Sequence, residues 1–170
     1  MKIFKSLKVK AGFSLMEILV VLFIVSSAML GVVSLIVQNI QVQSVNKNNL
    51  IASSLAQEGL ELIRQTRDLN WQNHQPFNTN LSDGSYQIDY RSSVPTSAAV
   101  ATPLYIKDGF YVHDSGGEMD LTPTIFSRQI VITEYQSYPG KPLEVRSIIS
   151  WIDRGHPYHY ELQTLLFDWR

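Results

Sequence analysis

The sequence predicts an α+β protein: a long N-terminal helix, its first half transmembrane, packed against an antiparallel β-sheet head. Three observations support this fold class. Residues 18–37 are uncharged and mostly apolar, a stripe of apolar and small residues continues at helical spacing to Ile63, and segments rich in β-branched and aromatic residues follow residue 80. The chain has no cysteine, which excludes disulfides, thiol catalysis and cysteine-bound metal.

The N-terminal segment predicts a membrane anchor. Residues 1–10 hold Lys2, Lys5, Lys8 and Lys10 and no acidic residue. Positive charge keeps this end cytoplasmic and places the remainder outside. The apolar run has about the 20 residues that a bilayer-spanning helix needs. A secretory signal peptide has a shorter apolar region with its cleavage site after it. Here the candidate cleavage site precedes the run, so we expect the membrane helix to remain in the mature protein.

Glu17 is the most informative residue, because it places a carboxylate near the start of an otherwise apolar run, 13–37. A charge inside a membrane segment is costly and marks a functional site by default. Cleavage after Gly12 would create an α-amino group on Phe13, four residues before Glu17. The alternative is a Glu17 side chain that is solvated at the level of the lipid headgroups.

The helix is predicted to continue well past the apolar run. Apolar and small residues recur at intervals of three and four and mark one helix face: Ala52, Leu55, Ala56, Gly59, Leu62 and Ile63. No proline interrupts the chain before Pro76. We expect the helix to begin near Phe13 and to end near residues 68–70, before Trp71.

The remainder predicts an antiparallel sheet that lies on this stripe. Asp108-Gly109 is a strong hairpin signal between two short strands. Residues 92–103 and 113–123 are predicted to be surface loops, and residues 153–157 a hairpin loop. The predicted strands are 86–91, 104–106, 110–112, 124–134, 144–152 and 158–167.

Other candidate sites are weak. Asp114, Glu118 and Asp120 lie on a glycine-rich loop that could bind calcium, but their spacing does not match an EF-hand, and a solvated loop is favoured. The histidines do not have the spacing of metal ligands. No Gly-x-Ser-x-Gly sequence marks a nucleophile. We therefore expect no enzymatic activity, no bound metal and no cofactor. The exterior is mildly acidic, which gives no reason to expect nucleic-acid binding.

Residues 10–17, Lys-Ala-Gly-Phe-Ser-Leu-Met-Glu, resemble the processing site of type IV prepilins and type II secretion pseudopilins. The features shared are a short basic leader, glycine before the cleavage site, phenylalanine after it, glutamate four residues later and a membrane helix. Residues 56–64 and the ending 166–170 are more similar to minor pilins than to a major subunit.

The resemblance implies a maturation and an assembly pathway. A prepilin peptidase would cleave between Gly12 and Phe13 and methylate the new amino terminus of Phe13. Subunits would then leave the inner membrane, through an assembly platform, for a filament whose core is a bundle of these helices. Glu17 would pair with the terminal amine of Phe13 on a neighbouring subunit.

The sequence thus predicts a structural filament subunit with three parts: a cleaved leader (1–12), a transmembrane and filament-core segment (13–37) and a periplasmic or extracellular pilin head (38–170). Its expected partners are prepilin peptidase, other pilin subunits, the assembly platform and membrane lipid. The alternatives are a pseudopilin of a type II secretion system and a membrane-tethered binding module that does not polymerise. A tethered enzyme is a third possibility, for which the sequence offers no site.

Overall fold

The computed structural model describes residue 12 and residues 14–114, 116–138 and 140–168. The chain divides into two compact units, residues 1–44 and 45–170. In the described part of the chain, one long helix, α1 (Leu15–Gln72), is followed by seven strands. The strands are β1 (Gly84–Gln87), β2 (Thr96–Ser97), β3 (Thr102–Lys107), β4 (Phe110–Val112), β5 (Thr122–Glu134), β6 (Leu143–Asp153) and β7 (His156–Leu166). The predicted α+β class is confirmed.

The first unit holds the apolar part of α1. Every described residue from 14 to 43 is exposed. An 18-residue window here has a mean hydropathy of 2.7, and none of it is buried. The helix is therefore long and apolar enough to cross a membrane, as expected of an anchor.

In the second unit, the described strands form one antiparallel sheet around β5. On one side, β5 pairs with β6 and β6 with β7. On the other side, β1 pairs with residues 130–132 of β5, and β3 pairs with residues 122–128. Strands β2 and β4 lie outside β1 and β3.

The core of the head lies between α1 and one face of this sheet. All six residues of the predicted stripe are buried, which confirms the prediction. Alternation along β6 buries Leu143, Val145, Ile149 and Trp151. Two clusters make up the core: Leu60, Leu62, Ile63, Phe77, Leu81, Ile88, Ile130, Ile132, Leu143, Val145 and Leu166; and Ala52, Leu55, Ala56, Leu104, Phe126, Ile149 and Trp151.

Gly59 sets how closely helix and sheet approach. A Cβ atom at this position would lie 2.6 Å from Ser147 Oγ and 2.8 Å from Ile130 Cδ1. Both distances are far inside van der Waals contact, so any side chain would push the helix away from the sheet. Glycine at this point of the stripe thus lets the backbone of α1 lie directly against side chains of the sheet.

Two predicted boundaries were wrong, the end of the helix and the end of the first strand. The helix includes Trp71, because the Arg67 guanidinium lies 4.6 Å from the Trp71 ring centroid, one helical turn away. Strand β1 ends at Gln87 rather than at residue 91. Asp89 accepts a hydrogen bond from the Arg91 backbone at 3.0 Å, so the chain turns there instead of continuing in the sheet.

Two predicted loops are shorter than expected. The β6–β7 turn contains only Arg154 and Gly155, with φ values of 51° and 80°, so His156 and Pro157 belong to β7. The segment 92–103 contains β2 and the start of β3. The Asp108-Gly109 hairpin is confirmed, since Lys107 and Phe110 are paired across it.

Candidate functional site

The candidate processing and assembly site lies where α1 begins. The helix starts at Leu15, and the Ile18 backbone N–H donates to the Ser14 carbonyl at 3.2 Å. Gly12 is exposed, and a Cβ atom placed on it would meet nothing within 4 Å. Phe13 and residues 1–11, which carry the predicted methylation site and leader, lie outside the described residues.

Glu17 lies in the first turn of α1 and is exposed. The partial positive charge of a helix N-terminus favours a carboxylate at this position. Ser14-Leu15-Met16-Glu17 also matches the Ser-x-x-Glu pattern of a capping box, a local signal that supports the helix start. The sequence pattern is present here, and the recorded hydrogen bond at this helix start is the one from Ile18 to the Ser14 carbonyl.

The surroundings of Glu17 are apolar and uncovered. Leu15, Met16, Ile18 and Leu19 are all at least half exposed. Within the described part of the chain, Glu17 makes no ion pair.

A second polar cluster lies in the head, where Arg91 bridges two acids. Its guanidinium contacts Asp89 Oδ2 at 2.8 Å and Glu118 Oε1 at 2.7 Å. Glu118 also pairs with Lys107 at 2.8 Å. Burial alone would raise the pKa of Asp89, but hydrogen bonds from the Arg91 side chain and from the His113 and Arg91 backbone outweigh it and lower that pKa.

His113 packs beside this cluster and is only 5% exposed. Its Nδ1 lies 3.0 Å from Thr102 Oγ1, and its backbone N–H donates to Asp89 at 3.0 Å. Burial, and then the nearby Arg128 charge, lower its pKa from 6.5 to about 4. The imidazole is therefore neutral at physiological pH.

Two carboxylates of the glycine-rich loop considered for calcium, Asp114 and Glu118, make contacts within the head. Asp114 Oδ1 accepts backbone N–H groups of Gly116 at 2.9 Å and Gly117 at 2.8 Å, and Glu118 belongs to the Arg91 cluster. Among the residues described, no group of three or more histidine and acidic side chains is placed to hold a metal.

Among the described residues of the head, Arg128 is the most deeply buried charge, with no exposed surface. Its guanidinium donates to the Leu55 carbonyl at 3.3 Å and the Ile88 carbonyl at 2.5 Å, and lies 3.5 Å from Glu58. Burial lowers its pKa from the ordinary value. It joins α1 to β5 and to the segment after β1, so its role is structural.

Comparison of the chain with protein-family models, with curated proteins and with solved structures found no match.

Proposed function

We propose that this protein is a structural subunit, of the minor type, of a type IV pilus or related filament. The observation that carries the proposal is Glu17 in the first turn of an uncovered apolar helix, directly after the Gly12–Phe13 sequence. The helix continues along the chain to Gln72, and its later residues pack on a β-sheet head. This combination suits a subunit that is anchored in a membrane first and packed into a helical bundle afterwards.

The proposed maturation starts with cleavage of the Gly12–Phe13 peptide bond by prepilin peptidase. Hydrolysis leaves the carboxylate on Gly12 and a free α-amine on Phe13, which the same enzyme methylates. An amine remains a cation after methylation, so it can still pair with a carboxylate. The absence of a side chain on Gly12 lets the peptidase approach the scissile bond closely.

The proposed assembly step pairs Glu17 of one subunit with the Phe13 amine of its neighbour. In lipid, each charge costs free energy of several kcal/mol, so both are stabilised when they meet in a low-dielectric bundle. A subunit whose register is wrong would leave both charges unpaired. The pair would thus set how far each helix slides along the next.

Mass spectrometry of the mature N-terminus tests the maturation step. Purified protein from membranes should begin at N-methylated Phe13. Gly12→Val should retain the leader, because a branched side chain obstructs the peptidase, whereas Gly12→Ala should be cleaved at least in part. Mature filaments in which Met1 is intact, or Gly12→Val processed like the parent, would contradict the proposal.

A further inference from the structure

An aromatic cleft of about 620 Å³ opens on the sheet face that α1 does not cover. One wall comes from Tyr135 and Tyr138, in the segment between β5 and β6, and the other from Leu165 and Phe167 at the end of β7. Its volume lies within the roughly 300–1,000 Å³ of sites that hold small ligands.

Both rings of the tyrosine wall are partly exposed to solvent. The Tyr135 and Tyr138 rings have centroids 5.6 Å apart and meet at 74°, so the two rings stand nearly perpendicular. Tyr138 is 62% exposed and Phe167 is 46% exposed. The face of an aromatic ring carries partial negative charge, so such a wall attracts a cation within about 6 Å of a ring centroid.

The charged side chain that lines the cleft is negative, like the faces of the aromatic rings. Of the described residues that line it, only Glu144 is charged. Its Oε2 accepts the Tyr135 hydroxyl at 3.0 Å, which holds the carboxylate beside the ring. Arg146, two residues further along the same face of β6, pairs with Glu161 at 3.4 Å. The positive charge of Arg146 also acts on Tyr135, but it is partly offset by Glu161. Glu144 is therefore the charged side chain in contact with the tyrosine wall.

We propose that this cleft binds an arginine side chain of a partner polypeptide. A guanidinium is planar, so it stacks on a tyrosine face while its N–H groups donate to a neighbouring carboxylate. Gln163, which also lines the cleft, offers a further acceptor. A neutral apolar group would bury the Glu144 charge with no cation beside it, and an acidic group would be repelled. The inference does not depend on filament assembly.

A titration followed by ligand-observed NMR tests this site, using the full chain in a non-ionic detergent. The probes are acetyl-Gly-Arg-Gly-amide and its lysine and glutamine counterparts. We expect the arginine probe to bind at least about fivefold more tightly than the glutamine probe, and more tightly than the lysine probe. Tyr138→Ala and Glu144→Gln should each weaken arginine binding about threefold to tenfold.

Tyr90→Ala is the matched control, since Tyr90 is half exposed and also lies beside an aromatic ring. The centroids of the Tyr90 and Phe110 rings are 5.1 Å apart. It should leave arginine binding unchanged. Equal binding of the arginine and glutamine probes would overturn the proposal, as would equal binding of arginine and lysine. Parent-like arginine affinity in both Tyr138→Ala and Glu144→Gln would overturn it as well. Glu144→Gln keeps the test valid if Tyr138→Ala disturbs the loop.

Discussion

Two stretches of α1 differ in what covers their apolar side chains. From residue 15 to residue 43 every side chain is exposed, whereas Ala52, Leu55, Ala56 and Ile63 are almost completely buried against the sheet. Within the first stretch, residues 18–37 are apolar on nearly all sides, and the second stretch is apolar on one stripe only. A helix that is apolar all round suits lipid or other helices, while a striped one suits a protein core on one side and water on the other. The two stretches of α1 are therefore suited to different surroundings, the first to lipid or other helices and the second to a boundary between protein core and water.

The largest expected effect is a difference in head stability between two variants, Ile63→Ala in the head and Ile24→Ala on the uncovered stretch. Ile63→Ala removes a fully buried side chain from the head and should lower its free energy of unfolding by about 2–5 kcal/mol. Ile24, on the uncovered stretch, is 59% exposed. Ile24→Ala should leave head stability unchanged. Denaturant titration of both variants in detergent, followed by tryptophan fluorescence, checks the contrast, and equal midpoints would contradict it.

Acidification is expected to lower the stability of the head by a smaller amount, because His113 is buried in the folded state. The pKa of His113 is lowered from 6.5 to about 4. Between these values the unfolded chain binds a proton that the folded chain does not, so stability rises with pH through this window. About 3 kcal/mol of head stability should be lost as the pH falls from 6.5 to 4. The lowered pKa of Asp89 adds a loss of the same sign at still lower pH.

Unfolding experiments across this pH range measure the slope directly. His113→Gln should flatten it, although that variant will be less stable at neutral pH because it disrupts a buried contact. His74→Gln, at an exposed position, is the control and should keep the parent slope. A parent slope that persists in His113→Gln would assign the effect to another group.

The smallest expected effect is a difference in stability between Gly59→Ala in the head and Gly31→Ala on the uncovered stretch. Gly59→Ala places a Cβ atom 2.6 Å from Ser147 Oγ, an overpacking that costs about 1–3 kcal/mol. The better helix propensity of alanine returns up to about 1 kcal/mol of this. A Cβ atom on Gly31 meets nothing within 4 Å. Gly31→Ala should therefore not destabilise the isolated chain, and thermal unfolding of the two variants should separate them by at least a few degrees.

Local periodicity is why much of the fold could be predicted. The buried stripe of α1 and the long strands β5, β6 and β7 repeat every 3.6 or 2 residues, and such patterns are visible in one sequence. Strand alternation also places Arg128 on the same face as Phe126 and Ile130, so its burial had a signal that was not used.

The parts that could not be predicted depend on contacts between distant residues. Asp89 and Arg91 alternate like strand residues, but Arg91 contacts Glu118 and Asp89 accepts the His113 backbone N–H. These partners lie 27 and 24 positions away, so no local pattern records them. The cleft between Tyr138 and Phe167 arises in the same way, from chain segments that meet only in the fold.

We propose that Glu17 serves assembly rather than anchoring. Glu17→Leu makes the apolar stretch more apolar, so insertion into the membrane should be unharmed. The most direct measurement compares the amount of this subunit in sheared filament fractions with the amount in membranes. We predict that Glu17→Leu is present in membranes at parent level but absent from filaments, and that Glu17→Asp, with the same charge and a shorter reach, is intermediate. Equal incorporation of the parent and Glu17→Leu into filaments would contradict the account.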